Sequence, residues 1–144
     1  MVSFKLSIGD PKAKKVGQKE ISESDSVALM GKHIGDGING NDIGFAGYEF
    51  IITGGSDYCG FPMRKGVMGT RRKAILVSKS VGYKGKLRKL RKANKPRQKF
   101  GIRRRKSVCP DLITESITQI NAKITKYGPE EIVLGKTVVE EKKK

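Results

Sequence analysis

The chain has 144 residues, with 31 lysines and arginines against 14 acids; only 36% of it is apolar, and it contains no tryptophan. One domain of this length buries about two thirds of its unfolded surface, so the core has to be small, and a net charge of +17 calls for an anionic partner. No apolar run reaches the ~20 residues that span a bilayer, and the N-terminus MVSFKLSIGDPKAKK lacks the apolar block and cleavage site of a signal peptide, which points to the cytoplasm and away from membranes.

Eighteen glycines and five prolines between short apolar runs favour a mainly β domain over a helical bundle. Phe4, Leu6 and Ile8 alternate with polar residues and predict a first strand that ends at Gly9, Asp10 and Pro11. KVGQKEISE predicts a second. Asp25 or Ser26 is placed to cap one short helix through Val27, Ala28, Leu29 and Met30, stopped at Gly31. Residues 35–44 read as a loop, residues 48–53 as a third strand and residues 74–78 as a fourth. The acid-free stretch from there to Ser107 reads as an insertion. LITESITQINAKITKYG is ambiguous, because Ile113, Ile117, Ile120, Ile124 and Tyr127 fit a helical face while Ile120, Ala122 and Ile124 fit a strand. The expected layout is one β-rich domain over 1–128, with a basic insertion at about 80–106, and a short charged tail over 129–144 that frays.

The distribution of charge says more than its total. Nineteen of the lysines and arginines lie in residues 58–110, and no acid occurs between Asp57 and Asp111. Such segregation is self-repelling unless a polyanion neutralises it. GYKGKLRKLRKANKPRQKFGIRRRK, residues 82–106, carries most of these cations and too few apolar side chains to fold alone, so the polyanion is its folding partner. RNA is favoured: guanidinium groups pair bidentately with phosphate and stack on splayed bases. A membrane-surface helix would need an apolar face that this segment lacks, and no helix-turn-helix, zinc finger or basic zipper can be read for DNA. The residues expected on RNA are Arg64, Lys65, Arg71, Arg72, Lys73, Lys79, Lys84, Lys86, Arg88, Lys89, Arg91, Lys92, Lys95, Arg97, Lys99, Arg103, Arg104, Arg105 and Lys106. Tyr83 and Phe100 either stack on bases near the two ends of the arm or pack on the domain body.

Catalysis has little to work with. His33 is the single histidine, Cys59 and Cys109 lack zinc-ligand spacing, and in a cytoplasmic chain two free thiols are expected. GDGING, residues 35–40, fits G-x-G-x-x-G literally but follows a polar turn and precedes no amphipathic helix, which argues against a nucleotide site. As a calcium loop it fails, with Ile38 at a ligand position and Gly47 where the bidentate glutamate belongs. No metal, cofactor or small-molecule substrate is expected.

ITGGSDYCGFPMRKGV, residues 52–67, resembles the GG-x-D-x-x-GFPM-x-x-GV signature of ribosomal protein six of the small subunit, archaeal and eukaryotic type. RRRKSV and the stretch after it, residues 103–126, resemble the family's second block, and the resemblance runs over nearly the whole chain. It implies a small β-barrel-like domain with a long basic arm, a strand over residues 117–126, and no enzymatic activity. It also implies a place in the cytoplasmic ribosome, on small-subunit ribosomal RNA beside neighbouring ribosomal proteins. Eukaryotic members continue into a long basic helix with a regulatory serine cluster; this chain stops at Lys144, so phosphorylation control is not carried over and the short form looks archaeal. The rival reading is a free RNA chaperone or translation factor with the same arm.

Within the signature, Gly54 and Gly55 are expected to let the backbone leave the third strand through conformations closed to other residues. Asp57 is expected to bond backbone amides that fix the turn and Pro62 to stiffen the tip, with Gly60 and Gly66 among the signature-loop residues. Phe61 and Met63 then plug the open end of the barrel or meet a neighbour, with Arg64 and Lys65 directed toward phosphate.

Overall fold

The computed structural model describes residues 4–85 and 101–129. A five-stranded sheet forms the body. Strand β1 (Phe4–Asp10) pairs antiparallel with the edge strand β2 (Lys15–Ile21) and parallel with β7 (Ile117–Lys126); β7 then pairs antiparallel with β4 (Glu49–Asp57), which pairs with the short β3 (Gly37–Asn39). A separate two-stranded ribbon joins β5 (Lys73–Val77) to β6 (Arg104–Val108). Neither sheet closes on itself: β2 and β3 are free edges of the larger one, so the barrel-like closure expected from the sequence gives way to an open sheet plus a ribbon. Among the described residues no helix is long and apolar enough to cross a membrane.

The strict alternation in β1 puts Phe4, Leu6 and Ile8 fully into the core, where they meet Phe50 and Ile52 of β4 and Ile117, Ile120 and Ile124 of β7. The strand reading of residues 117–126 holds, and the pairing explains the helical spacing. Ser56 pairs with Gln119 but Asp57 pairs with Ile117, so Thr118 is an extra residue bulged out of β7. That bulge lets Ile117 and Ile120, three apart, face the same core.

Three local expectations change. Helix α1 spans Glu23–Ser26, earlier and shorter than expected; Ser22 is its extended N-cap, and the Ser26 hydroxyl turns back to the Glu23 carbonyl at 2.6 Å, so Val27 to Met30 form turns in which only Leu29 is fully buried. Residues 35–44 are not simply a loop, because β3 adds to the edge of β4 and Gly40–Ile43 makes one 3-10 turn that buries Ile43. Strand β4 runs past Thr53 to Asp57, carrying both Gly54 and Gly55 within it. Gly55 is needed there for room: a Cβ would lie 2.5 Å from the Gln119 carbonyl and 2.9 Å from Met63 Sδ.

Candidate nucleic-acid interface

The signature residues fold back on the end of β4. Asp57 N–H donates to the Phe61 carbonyl at 3.1 Å and Met63 N–H to the Gly55 carbonyl at 2.9 Å, so residues 61–63 run alongside the strand. The same segment also holds the chain that leaves β6: Cys109 N–H donates to the Pro62 carbonyl at 2.9 Å and Arg64 N–H to the Cys109 carbonyl at 3.1 Å. The loop therefore ties the ribbon to the body.

Asp57 is the centre of this tie. Its side chain is 1% exposed, and each oxygen is used. Oδ1 accepts from the N–H groups of Cys59 (3.0 Å) and Phe61 (2.8 Å); Oδ2 accepts from Arg72 Nε (2.9 Å) and the Cys109 thiol (3.3 Å). A buried carboxylate is tolerated only with such a full set of donors. The expectation that Asp57 bonds turn amides holds, and the turn closes at Gly60, whose φ of 80° suits glycine. Burial first, and then the Asp57 carboxylate, push the Cys109 thiol up to about 12, so it stays protonated and unreactive at neutral pH.

Arg72 does more than offer a charge. Besides the Asp57 contact, Nη2 donates to the Tyr58 hydroxyl at 3.1 Å, and the guanidinium carbon lies 4.8 Å from the Phe61 ring centroid and 5.3 Å from that of Tyr58. Arg64 is similarly committed. It is half-buried, and its Nη1 donates to Ser80 Oγ (2.8 Å) and the Val81 carbonyl (3.1 Å), bracing the chain that leaves β5 instead of pointing freely toward phosphate. Tyr83 is 8% exposed and turns back on Ser80 through paired backbone bonds, so it packs on the domain body, one of the two placements its sequence allowed. Met63 is buried in the core, and Phe61 is half-buried against it; with no barrel to plug, they seal the junction between signature loop and sheet.

Other expected cations are open to solvent: Lys65, Arg71, Lys73, Lys79, Lys84 and Arg103 to Lys106 are all exposed, although Lys73 Nζ reaches the Met68 carbonyl at 2.6 Å. The ribbon's pairing, Val77 with Arg104, Leu76 with Arg105 and Ile75 with Lys106, sets a row of cations across from an apolar strand. Only the end residues Val77 and Val108 are buried. Treating residues 103–106 as an unstructured arm missed β6, because a strand that buries one residue in five shows no apolar alternation. Lys86, Arg88, Lys89, Arg91, Lys92, Lys95, Arg97, Lys99 and Phe100 lie outside the described residues, as does the tail beyond Pro129.

A family model for ribosomal protein S6e matches residues 4–135. The chain belongs to the ribosomal protein S6e family. Curated relatives span the chain almost end to end. Small ribosomal subunit protein eS6 of Methanothermobacter thermautotrophicus is 44% identical over 136 residues, 93% of this chain and 97% of that protein. The eS6 protein of Thermoplasma acidophilum is 40% identical over 136 residues, 94% of each chain, and that of Methanococcus maripaludis strain C6 is 38% identical over 128 residues, 89% of this chain and 91% of its own. Within the S6e family frame, the signature block is the loop centred on Asp57 and the second block is β6 followed by β7.

Proposed function

We propose that this protein is a structural, non-enzymatic constituent of the small ribosomal subunit in the cytoplasm. It holds ribosomal RNA through the β5–β6 ribbon and the basic insertion between those strands, and it contacts neighbouring ribosomal proteins. The observation that carries this reading is the acid-free segment 58–110, in which Lys73 and Arg104 to Lys106 lie exposed on a ribbon tied to the sheet through the loop centred on Asp57. Family membership supports it, since the relatives named above are small-subunit proteins. On this reading residues 1–128 form the domain and residues 129–144 the tail. The ribbon supplies phosphate contacts and the domain body sets their position, which is the division of labour of a structural RNA-binding protein.

The test is the salt dependence of binding to small-subunit ribosomal RNA. Each phosphate contact contributes roughly 0.7 to 0.9 to the slope of log affinity against log salt. Replacing Arg104, Arg105 and Lys106 together by Gln is expected to lower that slope by about 2 and to leave the melting temperature nearly unchanged, since all three side chains are exposed. An unchanged slope would remove the ribbon from the interface.

A further inference from the structure

We propose that Tyr58 is a stacking platform for one unpaired RNA base, a role that rests on the RNA reading above and gives it a second, non-ionic component. Tyr58 is 72% exposed, an unusual position for a large ring, yet it is held more firmly than a loop-tip side chain. Its backbone lies in the turn that Asp57 Oδ1 fixes through the amides of Cys59 and Phe61. Its hydroxyl accepts from Arg72, whose guanidinium is itself anchored on buried Asp57. The ring is thus pre-positioned at both ends, so that binding costs little side-chain entropy. Arg71 and Lys73, both exposed, flank Arg72 in the chain, and no acid lies between residues 57 and 111 to repel phosphate.

A ring facing solvent within a cationic surface recognises a π-face that carries a phosphate beside it. In a duplex the base faces are already stacked, so the ligand is a nucleotide in a single-stranded loop, bulge or end. The aromatics expected on RNA do not supply this among the described residues: Tyr83 is buried and Phe100 lies outside them, while Phe61 of the signature loop is half-buried under Arg72.

The experiment compares binding of the full chain to a single-stranded oligoadenylate and to a fully paired RNA duplex of equal length. Base–aromatic stacking contributes about 1 to 3 kcal/mol per base, so Tyr58→Ala is expected to weaken oligoadenylate binding roughly tenfold, with the salt slope unchanged and duplex binding unaffected. Tyr58→Phe keeps the ring and its approach to the Arg72 guanidinium but loses the hydroxyl bond that fixes it, and is expected to bind between wild type and Tyr58→Ala. Tyrosine emission gives an independent readout, because the chain has four tyrosines and no tryptophan, and only Tyr58 among the four is largely exposed. Oligoadenylate is expected to quench emission in the wild type and much less in Tyr58→Phe. Equal affinity of Tyr58→Ala and wild type for oligoadenylate, an equal loss on both RNAs, or a loss accompanied by a lower salt slope would overturn the stacking role while leaving the ionic interface standing. A wild-type chain that binds neither RNA would overturn both.

Discussion

At the residue scale, Asp57 and Arg72 show how a signature residue can serve structure first and function second. Arg72 is 33% exposed, and its Nε contact at 2.9 Å is, among the described residues, the single ion pair of a carboxylate that is only 1% exposed. Arg72→Ala is expected to destabilise the isolated protein, because it leaves the buried Asp57 carboxylate without its ion-pair partner. Chemical denaturation of the variant checks it. Asp10 gives a pH-dependent counterpart. The Tyr127 hydroxyl, 2.8 Å away, and the amides of Lys12 and Ala13 hold its carboxyl below the ordinary carboxylate value. A group depressed in the folded state stabilises above its unfolded pKa and loses that contribution as pH falls through the folded one. Denaturation midpoints between about pH 5 and pH 2, the range in which a depressed carboxylate takes up its proton, are therefore expected to fall more steeply for wild type than for Asp10→Asn.

At the scale of elements, the two glycines of the signature separate cleanly. Gly55 pairs with Ile120 where a Cβ would strike the Gln119 carbonyl, whereas a Cβ on Gly54 would meet nothing within 4 Å. Gly55→Ala is expected to cost about 1 to 3 kcal/mol through forced separation of β4 and β7, as overpacking does, and Gly54→Ala to be nearly neutral; melting temperatures of the two variants decide this. The strands with clean alternation, β1 and β4, were legible in the sequence because each buries every second residue through its core half. What escaped was non-local. The bulge at Thr118 turns a strand period into a helical one, β3 is three residues long, and β6 exists only because β5 pairs with it across more than twenty-five intervening residues. Of the interface, the sign and location of charge were legible. That Arg64 and Arg72 spend their guanidiniums on Ser80, Val81 and Asp57 was not, since composition records a cation but not its partner.

At the scale of the whole molecule, the fold sorts what the sequence had already segregated. The apolar core lies in the five-stranded sheet, and the described part of the acid-free segment forms the signature loop and the ribbon, joined to the sheet through Met63 and Cys109. A two-stranded ribbon of this kind is marginal in water by itself, and the exposed Leu76 beside Arg105 suits a surface completed by its partner. The central claim is that this partner is the small ribosomal subunit and that the protein is a resident component of it. Sedimentation of cell extract through a gradient after a high-salt wash tests that most directly. The account predicts that the protein remains with small subunits in near-stoichiometric amount through the wash, whereas recovery of most of it in the soluble fraction, as for a free RNA chaperone or translation factor, would contradict it.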